Sequence, residues 1–340
     1  MSGQFTKEYL RELQGYPLSV KVQLTKQRIR EWVHKYGEDG VYVSFSGGKD
    51  STVLLHLVRE MYGDVIPGVF VDTGLEYPEI RSFVRTFDNV VWLKPDINFK
   101  QVIEKYGYPV ISKEISERIY YAKQGSEWAI QCMSGANPDG SKSEFKQRAK
   151  KYAFLVDSPF PISHKCCTVM KKSPAKRYEK ETGRKPILAT MACESNLRKT
   201  QWTKVGCNAF GGKRPRSAPM SFWTEQDVLL YIYMNHIPIA SVYGDVIKEN
   251  EVDGQLDFAD IGLFDLGRPI LKTTGCKRTG CMFCGFGCHM EAEGEGRFER
   301  LKITHPKIYD YIMRPWEEGG LNYKEVIDWI NEHGNLHIKY

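Results

Sequence analysis

The hexapeptide Ser46-Gly-Gly-Lys-Asp-Ser51 lies between an apolar run, residues 40–45 (GVYVSF), and a run with a thick apolar face, residues 51–63 (STVLLHLVREMYG). The first run reads as a short buried strand with Gly40 as punctuation, and the second as a helix. A strand that hands over to a helix through two glycines narrows the folds open to this chain. The pattern then repeats. Residues 64–74 read as a strand ending on Asp72-Thr73-Gly74, and 77–87 as a helix with Pro78 near its first turn. Residues 89–95 read as a further strand and 98–107 as a further helix. Strands alternating with helices over the first hundred residues predict a parallel sheet with crossover helices, whose ligands bind beyond the carboxyl ends of the strands. The expected fold class is α/β, a doubly wound and mostly parallel sheet followed by a Cys-rich, partly helical C-terminal region.

The rest of the chain is less regular. Residues 22–36 carry apolar side chains at helical spacing, and 184–191 read as one more strand. Residues 223–236 read as a helix with Thr224 as N-cap, and 322–334 as an amphipathic helix. The polar, glycine-rich stretch 125–150 reads as an insertion or mobile loop. Residues 260–291 are rich in Gly and Cys with little periodicity, so something other than a large core must order them. At 340 residues the chain exceeds one minimal domain. The expected division is a helical segment at 1–37, a nucleotide-binding domain at 38–240 with its insertion at about 125–150, and a Cys-rich segment with C-terminal helices at 241–340.

No apolar run approaches the roughly 20 residues that span a bilayer, and the polar start of the chain has no secretory h-region. A cytoplasmic, reducing setting is expected, with no membrane partner. In that setting the nine cysteines read as metal ligands or reactive thiols. A net charge of +6 permits an anionic ligand.

The hexapeptide suits phosphate. Adjacent glycines let main-chain N–H groups approach an anion, and the following helix adds its N-terminal dipole. Lys49 adds charge, Ser46 and Ser51 add hydroxyls, and Asp50 acts as a helix cap or, with Mg2+, bridges to the phosphates. The spacing is not that of a Walker loop. It resembles the PP-loop, S-G-G-x-D-S, of the ATP pyrophosphatases (adenine nucleotide alpha hydrolases), matching at all six positions from Ser46 to Ser51. The resemblance implies cleavage of ATP to AMP and pyrophosphate, with Lys49, Asp50 and Arg198 as catalytic candidates. The nucleotide would be held by Ser44, Ser46, Gly47, Gly48, Lys49, Asp50, Ser51, Asp72 and Thr73. Asp72 reads equally well as a turn or capping residue.

Further stretches resemble the phosphoadenosine phosphosulfate reductase family: SGGKDSTVLLHL, VDTGLEYPE, KCCTVMKKSP (165–174), ESNLR (194–198) and FWTEQDVLLYI (222–232). Within it Lys172 and Arg198 are candidate phosphate or sulfate contacts. Thioredoxin-dependent reductases carry a C-terminal Glu-Cys-Gly-x-His motif, whereas the last cysteine here is Cys288. Reductases also tend to have a degenerate loop, and this one is intact. Both departures point to ATP-using relatives in sulfur chemistry, close in style to the DNA phosphorothioation sulfurtransferases and more distantly to the iron–sulfur tRNA thiolases.

Cys281-x-x-Cys284 forms a metal-binding knuckle. Adjacent Cys166 and Cys167 followed by C-x-x-C resemble the iron–sulfur sulfonucleotide reductases, which implies a [4Fe–4S] cluster on Cys166, Cys167, Cys281 and Cys284, with Cys207 as a fifth candidate. Zinc is the alternative, held locally by Cys276, Cys281, Cys284 and Cys288 or His289. Cys132 and Cys193 read as ordinary buried or loop cysteines. Between Ser195 and Thr224 stand Arg198, Lys199, Lys204, Lys213, Arg214 and Arg216 with no Asp or Glu. That bias reads as a solvated basic face or as a surface for an anionic substrate, either nucleotide, tRNA or DNA. Three functions follow. The first is ATP cleavage coupled to sulfur transfer, with a sulfur donor such as a cysteine desulfurase. The second is adenylyl-sulfate reduction on a CC…CxxC cluster. The third is a nucleotide-gated nucleic-acid-binding subunit of a modification or defence complex. The oligomeric state is not legible.

Overall fold

The computed structural model describes residues 5–141, 143–212, 214–249 and 269–340. Ten strands occur among them: β1 (Val41–Ser44), β2 (Gly68–Val71), β3 (Val90–Leu93), β4 (Val110–Ile111), β5 (Lys185–Ile187), β6 (Asn208–Ala209), β7 (Arg216–Ser217), β8 (Val246–Lys248), β9 (Leu271–Thr273) and β10 (Gly285–Phe286).

The chain divides into two compact units, each assembled from separate stretches. The first comprises Met1–Asp72, Tyr77–Leu93 and Ala175–Thr279. It holds a six-stranded sheet of order β3-β2-β1-β5-β7-β6, parallel throughout except for β6, which runs antiparallel to β7 at the edge. This is the expected α/β class. In β1 Val41, Tyr42 and Val43 are all buried, the near-continuous apolar run of a strand covered on both faces. The helix Lys49–Tyr62 follows β1 directly and buries Val53, Leu54, Leu55, Leu57 and Val58. The helix Leu18–Tyr36 buries Ile29, Trp32 and Val33.

Thr224 caps the helix Glu225–Met234 as expected, in a capping box with Asp227. Asp227 also binds Lys21 Nζ at 2.6 Å, both side chains being fully buried. An ammonium is expensive to bury unless paired, and Asp227 supplies the counter-charge while its Oδ2 also accepts from Thr224 N and Oγ1. The strand and helix expectations over the first hundred residues are met within a few residues. Of the expected helical segment 1–37, the described residues form the helices Lys7–Gly15 and Leu18–Tyr36, which cluster with the unit that carries the sheet.

The second unit comprises Thr73–Glu76, Lys94–Pro174 and Gly280–Tyr340. Its organising element is the extended segment at Tyr108–Ile111. Tyr108 bridges to Ile162 in parallel, and β4 pairs in parallel with β10. Tyr323, fully buried, donates to the Phe283 carbonyl at 2.7 Å, and Tyr108 donates to the Leu321 carbonyl at 2.9 Å. Residues 125–150 carry the helices Glu127–Ser134 and Glu144–Lys150, which bury Ala129, Cys132, Met133 and Ala149. The tail forms the helix Tyr323–Gly334. Among the described residues no helix is long and apolar enough to cross a membrane. Residues 250–268, which include part of the Gly- and Cys-rich stretch, and Lys213 lie outside the described residues.

Candidate active site

The loop leaves β1 at Ser44 and enters its helix at Lys49, so the hexapeptide sits at the carboxyl edge of the sheet. Gly47 has φ +71°, and a Cβ there would lie 2.6 Å from Val84 Cγ2 and 2.8 Å from Ile80 Cγ2. Only glycine satisfies both conditions. At Gly48 a Cβ would meet the Tyr243 hydroxyl at 3.2 Å. Ser51 braces the turn: its hydroxyl accepts from Ser46 N at 3.1 Å, donates to the Gly48 carbonyl at 2.9 Å and lies 3.0 Å from Ser46 Oγ. The shape of the turn thus rests on serine hydroxyls, while the Gly48 N–H reaches only Ser46 Oγ, at 3.4 Å.

Lys49 is buried, and its ammonium contacts the Lys277 carbonyl at 2.9 Å and Glu225 Oε1 at 3.0 Å, with Asp50 Oδ1 at 4.0 Å. Its N–H donates to Tyr243 Oη at 3.3 Å, and that hydroxyl lies 2.5 Å from Thr279 Oγ1. Burial pushes the Tyr243 phenol up to about 12. Burial also raises the Asp50 carboxyl; Lys49, Arg278 and Arg198 pull it down, and Glu225 pushes it up. Asp50 Oδ1 is buried without a hydrogen-bond partner. Burial lowers the Arg198 guanidinium, with Asp50 opposing, and Arg198 is ion-paired to Glu194. The loop, Arg198 and Arg278 therefore form one electrostatic neighbourhood in the first unit. Cys193 shares it, its thiol raised by burial. Asp72 pairs with Arg81 at 2.9 Å.

In the second unit Thr73 Oγ1 donates to Glu76, whose carboxylate also lies 3.4 Å from Lys171 Nζ. Burial would lower the Lys171 ammonium, but Cys281 and Glu76 outweigh it and hold it above its ordinary value. Burial pushes the Cys281 thiol up to about 11, with Lys171 opposing. Cys166 is raised by burial, then by Cys167, Cys281 and Cys284. Cys284 is raised by burial and pulled down by Arg297, whose guanidinium donates to the Cys284 carbonyl at 2.5 Å and to Glu291 Oε1 at 2.8 and 3.0 Å. Cys288 donates to the Cys284 carbonyl at 3.4 Å.

The reason these thiols meet is topological. Residues 163–167 follow Ile162 and Cys284 precedes β10, and both stretches flank the Tyr108–Ile111 segment. Cysteines from two distant motifs, Cys166 buried and Cys167, Cys281 and Cys284 half-buried, thus share one electrostatic neighbourhood with Lys171 and Arg297. Among the described residues, no three His, Cys, Asp or Glu side chains stand as a ready metal-holding set.

The phosphoadenosine phosphosulfate reductase domain model matches residues 40–124 and 120–285. The chain belongs to the phosphoadenosine phosphosulfate reductase domain family. The sulfate adenylyltransferase subunit 2 of Xylella fastidiosa (strain Temecula1) is 26% identical over 287 residues, spanning 81% of this chain and 81% of that one. The corresponding subunit of Proteus mirabilis is 27% identical over 256 residues, spanning 68% of this chain and 72% of that one. Among solved structures, the phosphoadenylyl-sulfate reductase from Candida auris in its phosphate complex is similar at 15% identity with a TM-score of 0.37, covering 71% of this chain and 92% of that one.

Within this family frame, the structure brings Ser46, Gly47, Gly48, Lys49, Asp50, Ser51 and Arg198 into the first unit's site and Cys166, Cys167, Cys281 and Cys284 into the second unit. Cys207 belongs to the first unit, where burial raises its thiol beside Trp202, Arg28 and Ser221. Cys276, of the local zinc set, is also in the first unit, its carbonyl accepting from Thr273 Oγ1 at 3.1 Å. His289 Nε2 lies 3.1 Å from the Tyr152 hydroxyl. Glu225, Tyr243, Lys277, Arg278, Glu76, Lys171 and Arg297 went unnoticed as site residues in the sequence. Glu76, Lys171 and Glu225 stand inside stretches that carry the family resemblance; the others had no local signal.

Proposed function

We propose that this chain is an ATP-using enzyme of sulfur metabolism that breaks the bond between the α- and β-phosphates at the Ser46–Ser51 loop. An acceptor oxyanion attacks the α-phosphorus, the bond to the bridging oxygen breaks, and its electron pair leaves with pyrophosphate. The observation that carries this reading is the intact loop: a Gly47 with no room for a side chain, a Gly48 closely approached by the Tyr243 hydroxyl, a buried lysine and a buried carboxylate oxygen without a hydrogen-bond partner. Lys49 and the loop amides would stabilise the charge that develops on pyrophosphate. Arg198 would orient the acceptor. Asp50 fits a divalent cation, because its buried oxygen has an open lone pair and its environment disfavours bare charge. Mg2+ bound there would neutralise the phosphates.

The relatives are named sulfate adenylyltransferase, which supports adenylyl transfer to an oxyanion, and the name subunit 2 supports a partner subunit. The comparisons lend no support to tRNA, DNA or a cysteine desulfurase as partners. The thiols of the second unit extend the reading to sulfur chemistry. Cys166, Cys167, Cys281 and Cys284 fit a [4Fe–4S] cluster by donor type, and Lys171 and Arg297 offset thiolate charge. A cluster held there by four thiolates would supply electron transfer. The same thiols favour sulfonucleotide reduction as a second reading, which sulfite release from an adenylyl sulfate with reductant would reveal.

Pyrophosphate release from ATP tests the first reading. Lys49→Ala and Asp50→Ala should each reduce it by about a hundredfold or more. Unchanged release in either variant removes the mechanism.

A further inference from the structure

Lys49 is the residue on which phosphate binding depends, yet its ammonium is already engaged. It has three donors. One meets Glu225 Oε1 at 3.0 Å and one the Lys277 carbonyl at 2.9 Å. The lysine side chain is 5% exposed and the glutamate side chain 41%. A buried ammonium needs a counter-charge when no phosphate is present. Asp50 supplies little of it, since its Oδ1 stands 4.0 Å away, beyond hydrogen-bond reach. Glu225 is the first residue of the helix Glu225–Met234, whose N-cap is fixed by Thr224 and Asp227, so its backbone is held while its side chain is half in solvent. A carboxylate so placed binds well enough to neutralise Lys49 and leaves at small cost, because an ion pair with one exposed partner is weak.

We infer that Glu225 is a built-in phosphate surrogate: it holds Lys49 in the empty loop and is displaced when a phosphoryl group arrives, setting how tightly the site takes polyphosphate. The inference rests on the proposed phosphate-binding role of the loop and assigns its regulation to a residue outside the loop.

The test is calorimetric titration of wild type, Glu225→Gln and Lys49→Met with two probes, inorganic pyrophosphate and α,β-methylene-ATP, each with Mg2+ and with chelator. Removing the competing carboxylate should tighten both probes by about 3–10-fold, under both metal conditions, with the gain shrinking as salt is added. Lys49→Met should bind both weakly. Affinities for Glu225→Gln that equal the wild-type values, or fall below them under either metal condition, overturn the surrogate; a loss confined to Mg2+ would make Glu225 a metal ligand instead. A wild-type chain that binds pyrophosphate but no adenine nucleotide sinks the ATP reading, and the Glu225 comparison is then decided with pyrophosphate alone.

Discussion

Asp50 is held where its charge is unwelcome: burial raises its carboxyl above the ordinary value of 3.8, and one of its oxygens has no partner. A carboxyl with a raised folded-state value favours folding while protonated, and that contribution is lost as pH rises through the raised value. Asp50→Asn should therefore melt higher than wild type at neutral pH, and the gap should close as pH falls below the carboxylate range. Calorimetry across pH checks this; a variant that melts lower at neutral pH would show that Asp50 is stabilising as it stands. The cost in stability fits a residue kept for its ligand. At this scale the sequence was informative wherever the site is contiguous. Ser46 to Ser51 are neighbours in the chain, so their joint chemistry is visible in the hexapeptide itself. Tyr243, Lys277 and Arg278 reach the same loop across about two hundred residues of chain, and no spacing rule connects a tyrosine hydroxyl at 243 with the N–H of Lys49.

The pairing of short elements decides the thiol site. One extended segment, Tyr108–Ile111, has Ile162 beside Tyr108 and β10 beside β4, and so gathers Cys166, Cys167 and Cys284. None of these strands is longer than two residues, too short for hydrophobic alternation to register. For the same reason the helices Asn196–Val205 and Arg297–Thr304 escaped notice, the first with only Trp202 buried and the second with only Phe298 and Leu301. The stretch 125–150 looked like a loop because its polar and glycine content hides the few residues it buries. If the gathered thiols hold a cluster, anaerobically purified protein should show the broad visible absorbance of iron–sulfur. Cys166→Ser or Cys284→Ser should abolish it, and Cys207→Ser should leave it intact. A colourless protein with stoichiometric zinc, or loss of colour in Cys207→Ser, would contradict that ligand set.

At the scale of the whole chain, the alternation of strand and helix foretold the parallel sheet, because crossover connections leave a period that survives in sequence. The interleaving of the two units was not legible, since each unit is built from three separated stretches and no composition shift marks the crossings. The family relationship spans residues 40–285 and so includes the loop, both cysteine motifs and Glu225. The proposed chemistry centres on nucleotide bound at the carboxyl edge of β1. The decisive measurement is a crystal structure of the protein with α,β-methylene-ATP and Mg2+. The account predicts density for the β- and γ-phosphates against the main-chain N–H groups of Gly47 to Ser51, with Lys49 turned from Glu225 toward them. An empty loop with the nucleotide lodged elsewhere would contradict it.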